Sequence, residues 1–149
     1  MASEDVDWNR YSNEAYSISF PSDWSLQERD GGIVQLVAAG DDDLAITIQS
    51  FVSPDAELTS AVLTTLLDDF RGVRQLVEPP RWLQSDAWIG LEAALFAGEA
   101  DHPRTRWVFR AVCVGARAVV LHLNGDVDCV AALRNTWELV MSSIRLESR

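Results

Sequence analysis

The sequence predicts an α+β domain, an antiparallel sheet accompanied by a few helices. Short runs of alternating apolar and polar residues succeed one another along most of the chain, while helical spacing is confined to two stretches. A third observation is the segment TRWVFRAVCVGARAVVLHLNGD (105–126), which has the form of one long hairpin. The resulting order of strands, helix, strands, helix excludes a doubly wound parallel sheet, in which the two element types alternate.

Residues 1–13 are polar and acidic around a lone Trp8 and are assigned to a flexible acidic N-terminal arm, which leaves 14–149 as a single domain. Tyr16, Ile18 and Phe20 alternate with Ser17 and Ser19 as a half-buried strand, and Pro21 ends it because proline cannot donate to a ladder. Trp24 to Gln27 forms a second short strand with Trp24 anchored in the core. ERDGG (28–32) turns the chain into IVQLVAA (33–39), and LAITIQSFV (44–52) follows across the acidic loop tip DDD (41–43). SPDAE then opens a helix capped by Ser53 or Asp55. Leu58, Val62, Leu66 and Phe70 recur at every fourth position, with Leu63 and Leu67 widening the stripe, which gives about four turns.

VEPPR breaks the chain, and RWLQS (81–85) and WIGLEAALFAGEA (88–100) read as strands around a turn at Asp86 and Ala87. In the long hairpin, a two-residue turn at Gly115 and Ala116 pairs Val114 with Arg117, Val112 with Val119 and Arg110 with Leu121. One face then carries Arg106, Val108, Arg110, Val112, Val119, Leu121 and Leu123, and the other Trp107, Phe109, Ala111, Cys113, Ala118, Val120 and His122. Both are mainly apolar, so the sheet is covered on both sides or open to a partner on one. After Asp126 or Asp128 as cap, Leu133, Trp137, Val140, Met141 and Ile144 form a helical apolar stripe, and the chain ends in a short extended SIRLE.

The net charge of −11 excludes general binding to nucleic acid or to an anionic membrane surface, since neutralising phosphates needs clustered cations. No apolar run approaches the roughly 18 to 20 residues that cross a bilayer, and MASEDVDWNR opens with acids where a secretory signal carries bases. A cytoplasmic protein without membrane insertion is expected. Cys113 and Cys129 are too few for a secreted disulfide scaffold and read as buried thiols. All twelve basic residues are arginine, which removes every chemistry that needs a P-loop, kinase-type or Schiff-base lysine.

Other reactions also lack their residues. G-x-S-x-G and G-x-G-x-x-G are absent, His102 sits in a loop, and His122, opposite Phe109, reads as a satisfied core histidine. The cysteines and histidines show no paired spacing for zinc. A calcium loop counted from Asp41 meets Ala45 and Val52 at ligand positions, and one counted from Asn124 meets Cys129 and Asn135. Asp68 and Asp69 are adjacent on a helix and point to different azimuths, as on a solvated face. No enzyme, metal or cofactor is expected. Two features suit binding: Arg104, Arg106 and Arg110 share strand parity and offer bidentate bonds to a carboxylate or phosphate, unless they pair with the chain's own acids. Trp82 and Trp88 flank a turn beside the sheet, and tryptophan is enriched where partners bind.

YSISFPSDW (16–24), AITIQSF (45–51) leading into the first helix, IGLEAALF (89–96) and WELVMSSIRL (137–146) together resemble the Mog1/PsbP-like families, most closely the DcrB-like branch of small bacterial proteins. The resemblance implies an α/β/α sandwich with a central antiparallel sheet flanked by helices, and no catalytic residues. Members are binding proteins: some assist a small GTPase, some sit on a photosystem, many are lipoproteins, and cytosolic DcrB-like ones serve as chaperones or adaptors for type VI secretion effectors. Lacking a lipoprotein cysteine and an identifiable GTPase-contact motif, the chain looks most like the last kind. The expectation is a non-catalytic protein-binding module, a dimeric chaperone that covers a client's apolar helices with a sheet face. Its rivals are a small-molecule or anion carrier built on the arginine row and a GTPase-regulator-like protein.

Overall fold

The structure is a computed structural model, and it describes residues 7–40, 44–52, 60–72, 74–77, 79–84, 88–96 and 104–146. In chain order the elements are β1 (Trp8–Ser12), β2 (Tyr16–Pro21), β3 (Ser25–Glu28), β4 (Val34–Val37), β5 (Ala45–Val52), α1 (Ser60–Arg71), β6 (Gln75–Leu76), β7 (Arg81–Gln84), β8 (Ile89–Phe96), β9 (Thr105–Val114), β10 (Arg117–Asp126), α2 (Val127–Ala132), α3 (Arg134–Ser142) and β11 (Arg145–Leu146).

The β9–β10 hairpin sets the frame. Gly115 takes a φ of +58°, a conformation that costs glycine nothing, and the register is Val114 with Arg117, Val112 with Val119 and Arg110 with Leu121, as the sequence predicts. β10 pairs outward with β5, then β4 and β3; β9 pairs outward with β8, whose far edge takes both β6 and β7, and every pairing is antiparallel.

Alternation along these strands separates two cores. On one face Leu63 and Leu67 of α1 pack against Leu91, Leu95, Phe109 and Ala111. On the other, Trp137, Val140 and Met141 of α3, with Ile18 and Phe20 of β2, cover Ile46, Ile48, Leu121 and Leu123. The result is an α+β sandwich with the antiparallel sheet in the middle. Asp126 caps α2 by accepting from the backbone N–H of Asp128. The helical stripe then breaks at Leu133, whose φ of −91° and ψ of 0° start α3 as a separate helix.

Two features depart from the sequence reading. Trp8–Ser12, inside the stretch assigned to an arm, is strand: β1 pairs with β2 from Trp8 opposite Pro21 to Ser12 opposite Ser17, and Arg10 Nη2 donates to Ser17 Oγ at 2.9 Å. Its one half-buried residue is Tyr11, so it shows little of the alternation that marks a strand. In addition, β1, β2 and β11 form their own three-stranded sheet. The peptide carbonyl of Pro21 accepts from Trp24 N–H at 3.0 Å, and this turn carries the chain from the small sheet into β3 of the large one.

The loop tip 41–43, the cap positions Ser53 and Asp55, Leu58, the turn at Asp86 and Ala87, and His102 lie outside the described residues. Among the described residues, no helix is long and apolar enough to cross a membrane.

Candidate functional site: a groove beside Trp88

The end of β9 projects Val112 and Val114 to the α3 side of the large sheet. Met141, Ile144 and Leu146 rise opposite them, and Trp88 forms a rim, enclosing a groove of about 590 Å³. Gly90 makes this possible. A Cβ there would stand 3.2 Å from Trp88 Cζ3 and 3.1 Å from the backbone oxygen of Ala111, so the glycine lets the indole lie against β8 and β9. The polar groups are Arg110 at the base, with Glu138, Ser142 and Arg145.

Arg110 is held by a carboxylate from the neighbouring strand. Glu92, 4% exposed, accepts on Oε2 from Arg110 Nε at 3.0 Å, from Arg110 Nη2 at 2.7 Å and from Trp137 Nε1 at 3.1 Å. Its Oε1 accepts from Arg81 Nη2 at 2.5 Å, and Arg134 stands 4.0 Å away. Burial pushes the Glu92 carboxyl up, but the Arg110 charge and the bonds from Arg110, Trp137 and Arg81 outweigh it and hold the group below the usual glutamate range. The network ties β7, β8, β9 and α3 together under the groove. Arg110 also reaches Glu138 Oε1 at 3.4 Å, linking it to the wall.

The other arginines of the row are placed differently. Arg104 makes bidentate bonds to Asp126 at 2.9 and 3.0 Å and a further one to Asp128 at 2.6 Å. Arg106 lies 5.4 Å over the Phe96 ring and donates to the Thr105 carbonyl. Trp82, 50% exposed, pairs with Leu91 and therefore points to the α1 side, away from Trp88. Of the residues singled out by sequence, Trp88 and Arg110 meet at the groove, while Trp82, Arg104 and Arg106 do not.

Glu92 was hidden inside an apolar strand in IGLEAALF; a lone acid in such a run is itself a signal, because a buried carboxylate demands cationic partners. On the opposite face, His122 is not a satisfied core histidine. Its Nδ1 is buried beside Phe70, at 4.8 Å between ring centroids, without a hydrogen-bond partner among the described residues, and burial, then the Arg74 charge, lower its pKa to about 4. Cys113 is buried, which raises its thiol pKa, and neither it nor Cys129 forms a disulfide. Among the described residues, no group of three acids, histidines or cysteines is placed to hold a metal ion.

No family model matches the chain, and no curated protein matches it. The solution structure of CyanoP, the cyanobacterial PsbP of Synechocystis sp. PCC 6803, superposes with a TM-score of 0.69 at 16% identity, over 95% of this chain and 94% of that one. The fold is PsbP-like. A crystal structure from Bacteroides thetaiotaomicron VPI-5482 gives a TM-score of 0.59 at 14% identity over 89% of this chain, which spans 45% of the Bacteroides chain. The PsbP-like fold agrees with the Mog1/PsbP-like resemblance in the sequence at the level of architecture, and with the antiparallel sheet that the hairpin predicts.

Proposed function

We propose that the chain is a non-catalytic module that binds a protein partner in the groove beside Trp88. The observation that carries the reading is the groove itself: Val112, Val114, Met141, Ile144 and Leu146 give it apolar walls, a tryptophan forms its rim, and charged groups of both signs stand at its edge. The sequence reading places the partner on an open sheet face, but α1 packs over β8 and β9 on one face of the large sheet and α3 with β2 packs on the other. The groove between sheet and helix is therefore the surface we assign.

Its shape suits an amphipathic helix that presents an apolar stripe flanked by charge. The DcrB-like resemblance extends this to a cytoplasmic bacterial chaperone or adaptor for a type VI-like effector, acting as a homodimer. The alternatives have weaker support. An anion carried on the arginine row has to displace Asp126 and Asp128 from Arg104 or Glu92 from Arg110, and no observation favours a GTPase-regulator role. Capture from native lysate with wild type, Trp88→Ala and Val114→Glu tests the proposal. A protein enriched by wild type and lost from both folded variants supports it; equal enrichment by all three removes the groove as the binding surface.

A further inference from the structure

The arginine best placed to receive a ligand is outside the row. Where the β1–β2 turn meets the ends of β4, β5 and β10, a cleft of about 460 Å³ is lined by Tyr11, Glu28, Val34, Ser50, Val52 and Arg117 among others. Arg29, also at this cleft, already donates to Gln35 at 2.9 Å and to Gln27. Arg117 differs: its Nε is buried with no hydrogen-bond partner among the described residues. The Tyr16 hydroxyl, on a residue only 1% exposed, lies near the Asn13 amide but makes no hydrogen bond of full geometry among the described residues. Its ring packs 6.1 Å from that of Tyr11. Burial, then the neighbouring Tyr11 and Glu28, push its pKa up to about 12, with the Asn13 amide opposing, so the phenol stays a donor.

Two of the three buried side-chain atoms that make no hydrogen bond of full geometry among the described residues thus belong to Arg117, which lines this cleft, and to Tyr16, whose ring packs on the cleft residue Tyr11. Such atoms are rare enough in folded proteins to ask for a complement. The complement of a guanidinium and a phenol is an acceptor, above all a carboxylate. The lining also carries Glu28 and Glu14, which repel a plain anion and attract a cation. Val34, Val52 and Ile33 add apolar wall.

We propose that this cleft binds a small zwitterion, an α-amino acid with an apolar side chain, with its carboxylate on Arg117 and its ammonium toward Glu28. The site is separate from the groove beside Trp88 and does not depend on the reading given for that groove.

The test uses L-leucine as zwitterion, 4-methylpentanoate as the carboxylate alone, 3-methylbutylamine as the amine alone, and inorganic phosphate as a plain anion. Each is titrated into the full chain and followed by thermal unfolding and amide NMR. Leucine at ten times its Kd is expected to raise the midpoint by roughly 4 °C, with amide shifts around Tyr11, Ser50 and Arg117. R117Q should abolish the effect and E28Q should weaken leucine binding at least tenfold, while R104Q, in the row, should leave it unchanged. Should R117Q fail to fold, E28Q decides, since Glu28 is exposed. No shift with leucine, an equal shift with phosphate or 4-methylpentanoate, or full binding by E28Q would each overturn the proposal.

Discussion

Replacing Glu92 by glutamine keeps its shape and removes its charge, and the structure says which partners then suffer. Arg81 and Arg134 have side chains 61% and 39% exposed and can turn to water, so their loss costs little. The Arg110 side chain is 9% exposed and lies in the buried network, with Glu138 at 3.4 Å as its one other anion among the described residues. Breaking a buried pair by removing one partner costs about 3–5 kcal/mol, because a charge is left uncompensated. The half-exposed Glu138 argues for the lower end, about 3 kcal/mol, or roughly 10 °C in the thermal midpoint of a chain this size. The double variant Glu92→Leu with Arg110→Met should be more stable than Glu92→Leu alone, since it leaves no orphaned charge. Circular dichroism in urea and on heating reads both. A loss below about 1 kcal/mol for E92Q, or a double variant weaker than the single, would refute the view that Arg110 depends on Glu92.

The pH dependence has two parts, both read from unfolding free energy against pH. Glu92 titrates below an ordinary glutamate, so its contribution is complete above about pH 4.5 and is lost as pH falls through its lower folded value, a loss absent in E92Q. His122 titrates near 4 in the folded chain against 6.5 unfolded, so the unfolded state takes up the proton first. Stability should fall by about 3 kcal/mol from pH 6.5 to 4, and His122→Leu should flatten that slope; parallel curves would contradict it. Gly90→Ala should cost about 1–3 kcal/mol by pressing on the Ala111 oxygen and the Trp88 ring, with a change in tryptophan emission; unchanged emission would mean that the indole does not lie over Gly90. Trp82→Ala should change stability by no more than about 0.5 kcal/mol and reduce acrylamide quenching, as expected for a half-exposed residue.

The large sheet was legible because its information is local. Gly115 and period-two alternation set the β9–β10 register residue by residue, and Asp126 announced α2. β1 was not legible, because an edge strand with one half-buried residue need not alternate. Nor was the small sheet, since the pairing of Arg145 with Ser17 joins distant parts of the chain without a local signature. The site was half legible. Trp88 and Arg110 stood out as residue types, but the groove also needs Met141 and Ile144 across from them, and only the docking of α3 reveals that. Shared strand parity in the arginine row said nothing of Asp126 and Asp128, which hold Arg104, or of Glu92, which holds Arg110.

Photo-crosslinking tests the central claim most directly. A benzophenone amino acid placed at Trp88 should yield a partner adduct in native lysate, and the same group at Trp82, on the opposite side of the sheet, should not. Adducts from position 82 alone, or from neither position under conditions that preserve weak complexes, would contradict a partner seated in the groove.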